Sequence, residues 1–361
     1  MKKNTLLLLL LLFSIILPAE NGKYVKGLYL RSDLVSGSNF DSLLVLAKRA
    51  DINAIVFDIK DMKGRIYINI NDHKTLISKE NDVKINLRKV IEKIHRYQMT
   101  AIARIVAFHN KRAALSDSVY CPIDSLGNRW IENPKKGPMW LDPSLSMVQN
   151  DLFALIDTVI QSSVDEIQFD YIRFPTQGSI SKASFWFQRE DDRKYFADST
   201  YVKKKKENII EAFLKKVRSR YKKNNIRFTA DIFAIVSWQN PIDIAATGQN
   251  IKRITKHLDA IHPMVYSSHF ADNFGYRENV HNEPFNLVFQ TVKRSQRNTD
   301  RSCNVIPYIQ ANSWQVNFKK EYIAAQIDAC KQAEADGFLL WNASGNYNDT
   351  LKWMIDLKEL Q

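Results

Sequence analysis

The sequence predicts an α/β fold made of a single (β/α)8 TIM barrel, and three observations point there. Short β-rich runs alternate with helical stretches about eight times, the order of elements that closes a parallel sheet on itself. A length of 361 residues suits one such barrel with long loops. The first strand is followed by Arg31-Ser32-Asp33-Leu34-Val35-Ser36-Gly37-Ser38, which lacks the glycine spacing of a doubly wound, phosphate-binding sheet.

The elements follow in order. Residues 25–31 read as the first strand, and Phe40, Leu43, Leu44 and Ala47 recur at helical spacing across 40–51. Residues 54–61 form strand two, and 87–97 a helix with Leu87, Val90, Ile91 and Ile94 on one face. Strand three is 100–108, and the helix after it is 144–163. Strand four is 166–174, followed by a helix over 203–222. Strand five is 227–234, and a weaker helical region covers 241–257. Strand six is 260–266, with a helix over 284–297. Strand seven is 304–311, with a helix over 321–335. Strand eight is 337–343, and an amphipathic helix over 349–360 closes the chain. Two long segments interrupt this beat, 109–143 after strand three and 176–202 after strand four. Both leave C-terminal strand ends, the face on which such barrels carry their sites. Both hold aromatics: Tyr120, Trp130 and Trp140 in one, and Phe185, Trp186, Phe187, Tyr195 and Phe196 in the other. Such rings either stack on sugar faces or pack the loops onto the barrel.

Ahead of the barrel, Lys2 and Lys3 precede an apolar run from Leu6 to Leu17, and Pro18-Ala19 offers a cleavage site. Residues 1–19 therefore read as a secretory signal peptide and 20–361 as the barrel domain. The run is shorter than the roughly 20 residues that span a bilayer. The expected destination is periplasmic or secreted, with no membrane association after cleavage. Cys121, Cys303 and Cys330 lie in no C-x-x-C pair. Three unpaired thiols are the expectation, a Cys303–Cys330 bridge the alternative. The formal charge of +13 would favour an acidic polymer. Its lysines cluster at Lys203–Lys206, Lys215–Lys216 and Lys222–Lys223, as on one solvated helix face. No nucleic-acid motif accompanies them, so no nucleic-acid partner is expected.

Polar residues recur at the predicted strand ends: Asp58, Lys60 and Asp61; Arg104; Asp170, Tyr171 and Arg173; Asp231; His262, Tyr266 and His269; Tyr308 and Gln310; Trp341 and Asn342. Trp140 and Asp142 stand before the helix at 144–163. A single polar residue in a strand is commonly a satisfied structural group; several converging must each be desolvated and paired. Glycoside hydrolysis needs two carboxyl groups flanking one bond. Asp170 and Asp231 sit on adjacent strands about 4.8 Å apart. Arg173 and Arg104 would hold Asp170 ionised as nucleophile. The apolar run around Asp231 (Ile232, Phe233, Ala234) would raise its pKa and suit it to acid/base work. Asp231 in a structural ion pair is the bland alternative. No G-x-S-x-G elbow and no H-E-x-x-H helix occurs. His262, His269 and Asp231 have no spacing that demands a metal, so neither metal nor cofactor is expected.

Segments 25–29, 53–61, 103–108, 140–143, 165–175, 262–269 and 337–342 together resemble the glycoside hydrolase domain family of bacterial secreted proteins, distantly similar to alpha-amylase-type barrels. The resemblance spans about 25–345. It implies a TIM barrel and a glycosidase acting on a polysaccharide or oligosaccharide. In amylase-type barrels an aspartate ending strand four is the nucleophile, which maps onto Asp170; a glutamate ending strand five is the acid/base, where this chain has Asp231. The remaining residues named above would shape the sugar site. A catalytically silent carbohydrate-binding barrel is the alternative, and a metal-dependent deacetylase a weaker one.

Overall fold

The computed structural model describes residues 24–70, 85–300 and 303–359; the leader expected at 1–19 lies outside them. Nine strands are present among these residues: β1 (Val25–Leu30), β2 (Ala54–Lys60), β3 (Thr100–Val106), β4 (Glu166–Asp170), β5 (Arg227–Phe233), β6 (Ala260–Val265), β7 (Asn304–Val305), β8 (Tyr308–Gln310) and β9 (Gly337–Trp341). Every pairing between them is parallel, and the β5–β6 pairing closes the sheet into a barrel. β7 and β8 both pair with β6 and together make the seventh stave. They are separated by Ile306-Pro307, where proline has no N–H to give to a ladder. β9 completes the eightfold closure against β1.

Period-two alternation sorts the side chains. Leu28, Leu30, Ile55, Phe57, Ile167, Phe169 and Ile232 point outward into the shell between barrel and helices and are fully buried there. Each such side chain contributes about 1.5–3 kcal/mol by leaving water. Their neighbours point inward. Ala54, Val56, Ile102, Ala260 and Leu339 fill the lower interior, and a Cβ at Gly27 would come within 2.2 Å of Leu339. The inward positions nearer the C-terminal ends are polar: Asp58, Arg104, Gln168, Asp170 and Asp231 are all buried.

Beyond the split seventh strand, further elements differ from the sequence expectation. Strand four ends at Asp170 and not at 174, because Tyr171 turns to φ +50°. The helix expected at 203–222 is Lys206–Arg220; Lys203 and Lys204 precede it and pair with Asp192 and Asp191. Lys206 is no solvated lysine, since its ammonium donates to the Ala246 carbonyl beside the Phe174 and Phe185 rings. The segment after strand four carries its own helix, Trp186–Ala197. The region 241–257 breaks into Pro241–Thr247, Ile251–Ile254 and Thr255–His257, stopped by Gly248 at φ +77°. All three cysteines are buried and free, as expected.

Candidate active site

Arg104 organises the barrel mouth. It sits on β3, level in register with Asp58 on β2 and Gln168 on β4. Its guanidinium ion-pairs with Asp58 through Nη1 and with Asp170 Oδ2 through Nη2, the latter at 2.5 Å. Its Nε lies 3.9 Å from Asp231 Oδ2 and is a buried donor without a hydrogen-bond partner among the described residues. Burial works against its charge, but Asp58 and Asp170 outweigh that and hold its pKa well above the ordinary value. The flat cation also lies 5.2 Å from the Tyr29 ring centre and 5.7 Å from that of Trp341.

Three carboxyl groups thus face one guanidinium. Asp170 Oδ1 accepts the Tyr171 backbone N–H at 2.6 Å, so both of its oxygens are held. Asp58 accepts the Tyr29 hydroxyl at 2.7 Å, and burial keeps its pKa raised despite Arg104. Asp231 accepts from Gln168 Nε2 at 2.5 Å. Burial first, and the charge of Asp170 second, push the Asp231 carboxyl well above the usual carboxylate range. Gln168 Oε1 in turn accepts the Tyr308 hydroxyl at 3.3 Å. An ion-paired carboxylate and a proton-retaining carboxyl therefore face the same opening.

Tyr171 is a bulky residue in the left-handed region, where a Cβ is crowded. Such strain clusters at functional sites. The reversal carries Arg173 away from Asp170, so the ion pair expected between them is not formed. Arg104 alone supplies it. Arg173 instead stands among rings, 4.8 Å from that of Trp140, 5.2 Å from Tyr171 and 4.1 Å from Phe233. His109 completes this wall, 5.0 Å from the Trp140 ring and 4.9 Å from that of Tyr171.

On the opposite side a depression of about 830 Å³ is lined in part by Tyr266, His269, Gln310, Trp314, Trp341 and Asn342. Trp341 stacks on Tyr29 at 4.2 Å, and His269 lies 4.9 Å from the Trp314 ring. These faces can receive the C–H faces of a sugar chain. Gln310 and Asn342 border the depression, and their amides are also loop clamps. Gln310 holds Ser268 and the carbonyls of Asn312 and Trp314. Asn342 holds Ser344 and the carbonyls of Ala311 and Asn346.

Four expected site residues are placed elsewhere. Lys60 is fully buried and donates to the carbonyls of Val106, Ala107 and His109, closing the end of β3; burial brings its pKa down to about 7. Asp61 ties the turn through Arg65 and Tyr67. Asp142 accepts the Trp186 N–H and the Ser144 hydroxyl, pinning the two long loops together. His262 lies deeper in the barrel, with Nδ1 against the Ile306 carbonyl and Nε2 3.7 Å from Glu166. Conversely, Tyr29, Gln168, His109 and Trp314 belong to the mouth or its rim and are not among the expected site residues; Tyr29, His109 and Trp314 do not stand out from sequence. Gln168 carries a readable signal, two residues before Asp170 on the inward face of β4.

Comparison with known proteins bears on the family and the fold. The family model described as "Putative glycosyl hydrolase domain" matches residues 27–347. The chain belongs to that family. This glycosyl hydrolase domain also shares its fold with solved glycosidases. The glycoside hydrolase domain of PgaB from Bordetella bronchiseptica matches with TM-score 0.66 and 12% identity, over 94% of this chain and 99% of that one. The catalytic domain of beta-amylase from Paenibacillus polymyxa matches at 0.57 and 11%, over 93% and 99%. An exo beta-N-acetylglucosaminidase from Vibrio harveyi matches at 0.55 and 10%, over 92% and 54%. No curated protein matches by sequence. Among the described residues no cluster of His, Cys, Asp or Glu could hold a metal ion, and no helix is long and apolar enough to cross a membrane.

Proposed function

We propose that this glycosyl hydrolase domain cleaves a polysaccharide or oligosaccharide with Asp170 and Asp231 as its carboxyl pair. The observation that carries the reading is the unequal treatment of the two groups by Arg104. Asp170 is ion-paired, whereas Asp231, at 3.9 Å from Nε, keeps its proton to higher pH. Asp231 donates that proton to the glycosidic oxygen as the bond to the anomeric carbon breaks. The Asp170 carboxylate attacks the same carbon, forming a glycosyl ester. Asp231, now ionised, takes a proton from water, and the resulting attack frees the sugar and restores Asp170. In this reading Asp58 and Tyr29 orient a sugar hydroxyl, and Trp341, Tyr266 and Trp314 stack the chain. The reading includes action outside the cytoplasm, supported by the basic and apolar segments within residues 1–19.

The test is reducing-end release from a panel of bacterial and plant polysaccharides by wild type and Asp170→Asn, with affinity measured on the same panel. Release by wild type, reduced at least about 10³-fold in Asp170→Asn while binding persists, is expected. Binding without release by either protein would leave only a sugar-binding barrel.

A further inference from the structure

Arg173 is a buried cation that Asp170 and Glu132 act on only at longer range, behind the cost of its own burial. The residue is 8% exposed, yet it forms no ion pair among the described residues. One nitrogen, Nη1, donates to the Phe174 carbonyl at 2.9 Å. The other guanidinium nitrogens have no hydrogen-bond partner among the described residues, and they are not sealed from solvent. Trp140, Tyr171 and Phe233 lie against the guanidinium and leave it little contact with water, which strengthens whatever it pairs with at its open edge. Asp170 is unavailable to it, being held by Arg104 and by the Tyr171 N–H. Glu132 is turned toward the Gln177 N–H at 3.3 Å.

Trp140, whose ring centre lies 4.8 Å from the Arg173 guanidinium, adds a donor: its Nε1 is buried without a hydrogen-bond partner among the described residues. A neutral sugar brings hydroxyls that donate as readily as they accept. An edge of free guanidinium N–H groups is better matched by an anionic group with two coplanar oxygens. We propose that Arg173 reads a carboxylate carried by the sugar unit bound beside Asp170, so that the substrate is a carboxylate-bearing glycan. This rests on the glycosidase reading of the mouth. The formal charge of +13, or +11 without Lys2 and Lys3 of the expected leader, adds a long-range attraction for such a polymer.

The experiment uses matched pairs: polygalacturonate and alginate, each beside the same polymer with its carboxylates reduced to alcohols, plus dextran sulfate. Binding is measured on the full chain carrying Asp170→Asn, alone and combined with Arg173→Gln or Arg173→Lys. Tighter binding of the carboxylated form is expected, on the order of tenfold to a hundredfold, the range of a charge-assisted hydrogen-bonded pair. That preference falls toward parity with Arg173→Gln and is partly kept with Arg173→Lys, which retains charge and stem but not the planar fork. Arg173→Lys also keeps the test open if Arg173→Gln fails to fold. Equal binding of both forms, a preference unchanged in Arg173→Gln, a stronger preference for the sulfated polymer, or no binding of any of them would each overturn the proposal. Reducing-end release by wild type separates the two readings. A carboxylate preference without release leaves the anion site standing and removes the hydrolase; release from neutral polymers without a carboxylate preference does the reverse.

Discussion

Glu166 on β4 and Asp231 on β5 point into the same barrel at similar burial, 5% and 2% exposed, and their carboxyls move in opposite directions. Burial alone would raise both. Around Glu166 it is outweighed by His262, by Arg227 Nε at 3.2 Å and by the Thr229 hydroxyl at 2.8 Å, and the pKa falls. Around Asp231 burial is joined by the charge of Asp170, while Arg104 is shared with two closer carboxylates, and the pKa rises. The lower carboxyl is matched by cations and a hydroxyl, although the buried His262 Nε2 has no hydrogen-bond partner among the described residues, whereas the upper carboxyls outnumber their one cation. Desolvation is common to both, so imbalance of charge is what distinguishes the candidate chemistry from the scaffold.

The strongest way to break the comparison is Arg104→Met, which strands buried carboxylates at the mouth. A loss of about 3–5 kcal/mol in unfolding free energy is expected, measured by denaturant melts. It should shrink in Arg104→Met/Asp170→Asn, because one stranded charge is gone.

Asp231→Asn should split stability from activity. Removing the proposed acid/base lowers kcat by about 10²–10⁴-fold, while raising stability at neutral pH, because the folded state no longer holds a carboxyl against ionisation there. The sign follows from linkage. Asp231 has a raised folded pKa, so its contribution is full below the unfolded carboxyl value and is lost as pH rises through the folded one. The stability gain of the variant therefore grows with pH, and wild-type activity declines over the same rise. A gain that is flat with pH would argue against a raised Asp231.

Glu166→Gln sharpens the contrast from the other side. The folded pKa of Glu166 is depressed, so its contribution is present above the unfolded value and lost as pH falls through the folded one. The variant should lose about 1–3 kcal/mol at neutral pH. Its deficit should narrow below pH 4.5, the ordinary value for the group. The pH dependence of kcat/KM should keep its shape. A displaced profile would tie the lower layer to the chemistry.

Much of this was legible in the residues. Alternation along each strand put Asp58, Arg104, Asp170 and Asp231 on inward positions near strand ends, and closure of a parallel barrel then brings them together. Other features depended on backbone detail that spacing does not encode. The register shifts between Asp58 and Lys60, and the Lys60 ammonium ends on the β3 carbonyls instead of at the mouth. The left-handed Tyr171 separates Arg173 from the carboxylate three residues earlier. Asp61 and Asp142 look like site acids in sequence, yet their partners are turn and loop donors recognisable only once the loops are folded. Tyr29 had no local signal at all; its role comes from Asp58, 29 positions away.

The three thiols make the molecule its own reporter of motion. Cys121 sits in the segment after β3, Cys303 just before β7, and Cys330 on the helix Lys320–Gln332. Burial pushes the first two up to about 11 and about 12, and the third higher still. A buried, protonated thiol is inert to alkylation. Labelling therefore waits for the chain around it to open, and the three rates time the opening of an outer loop, a barrel stave and a packed helix separately.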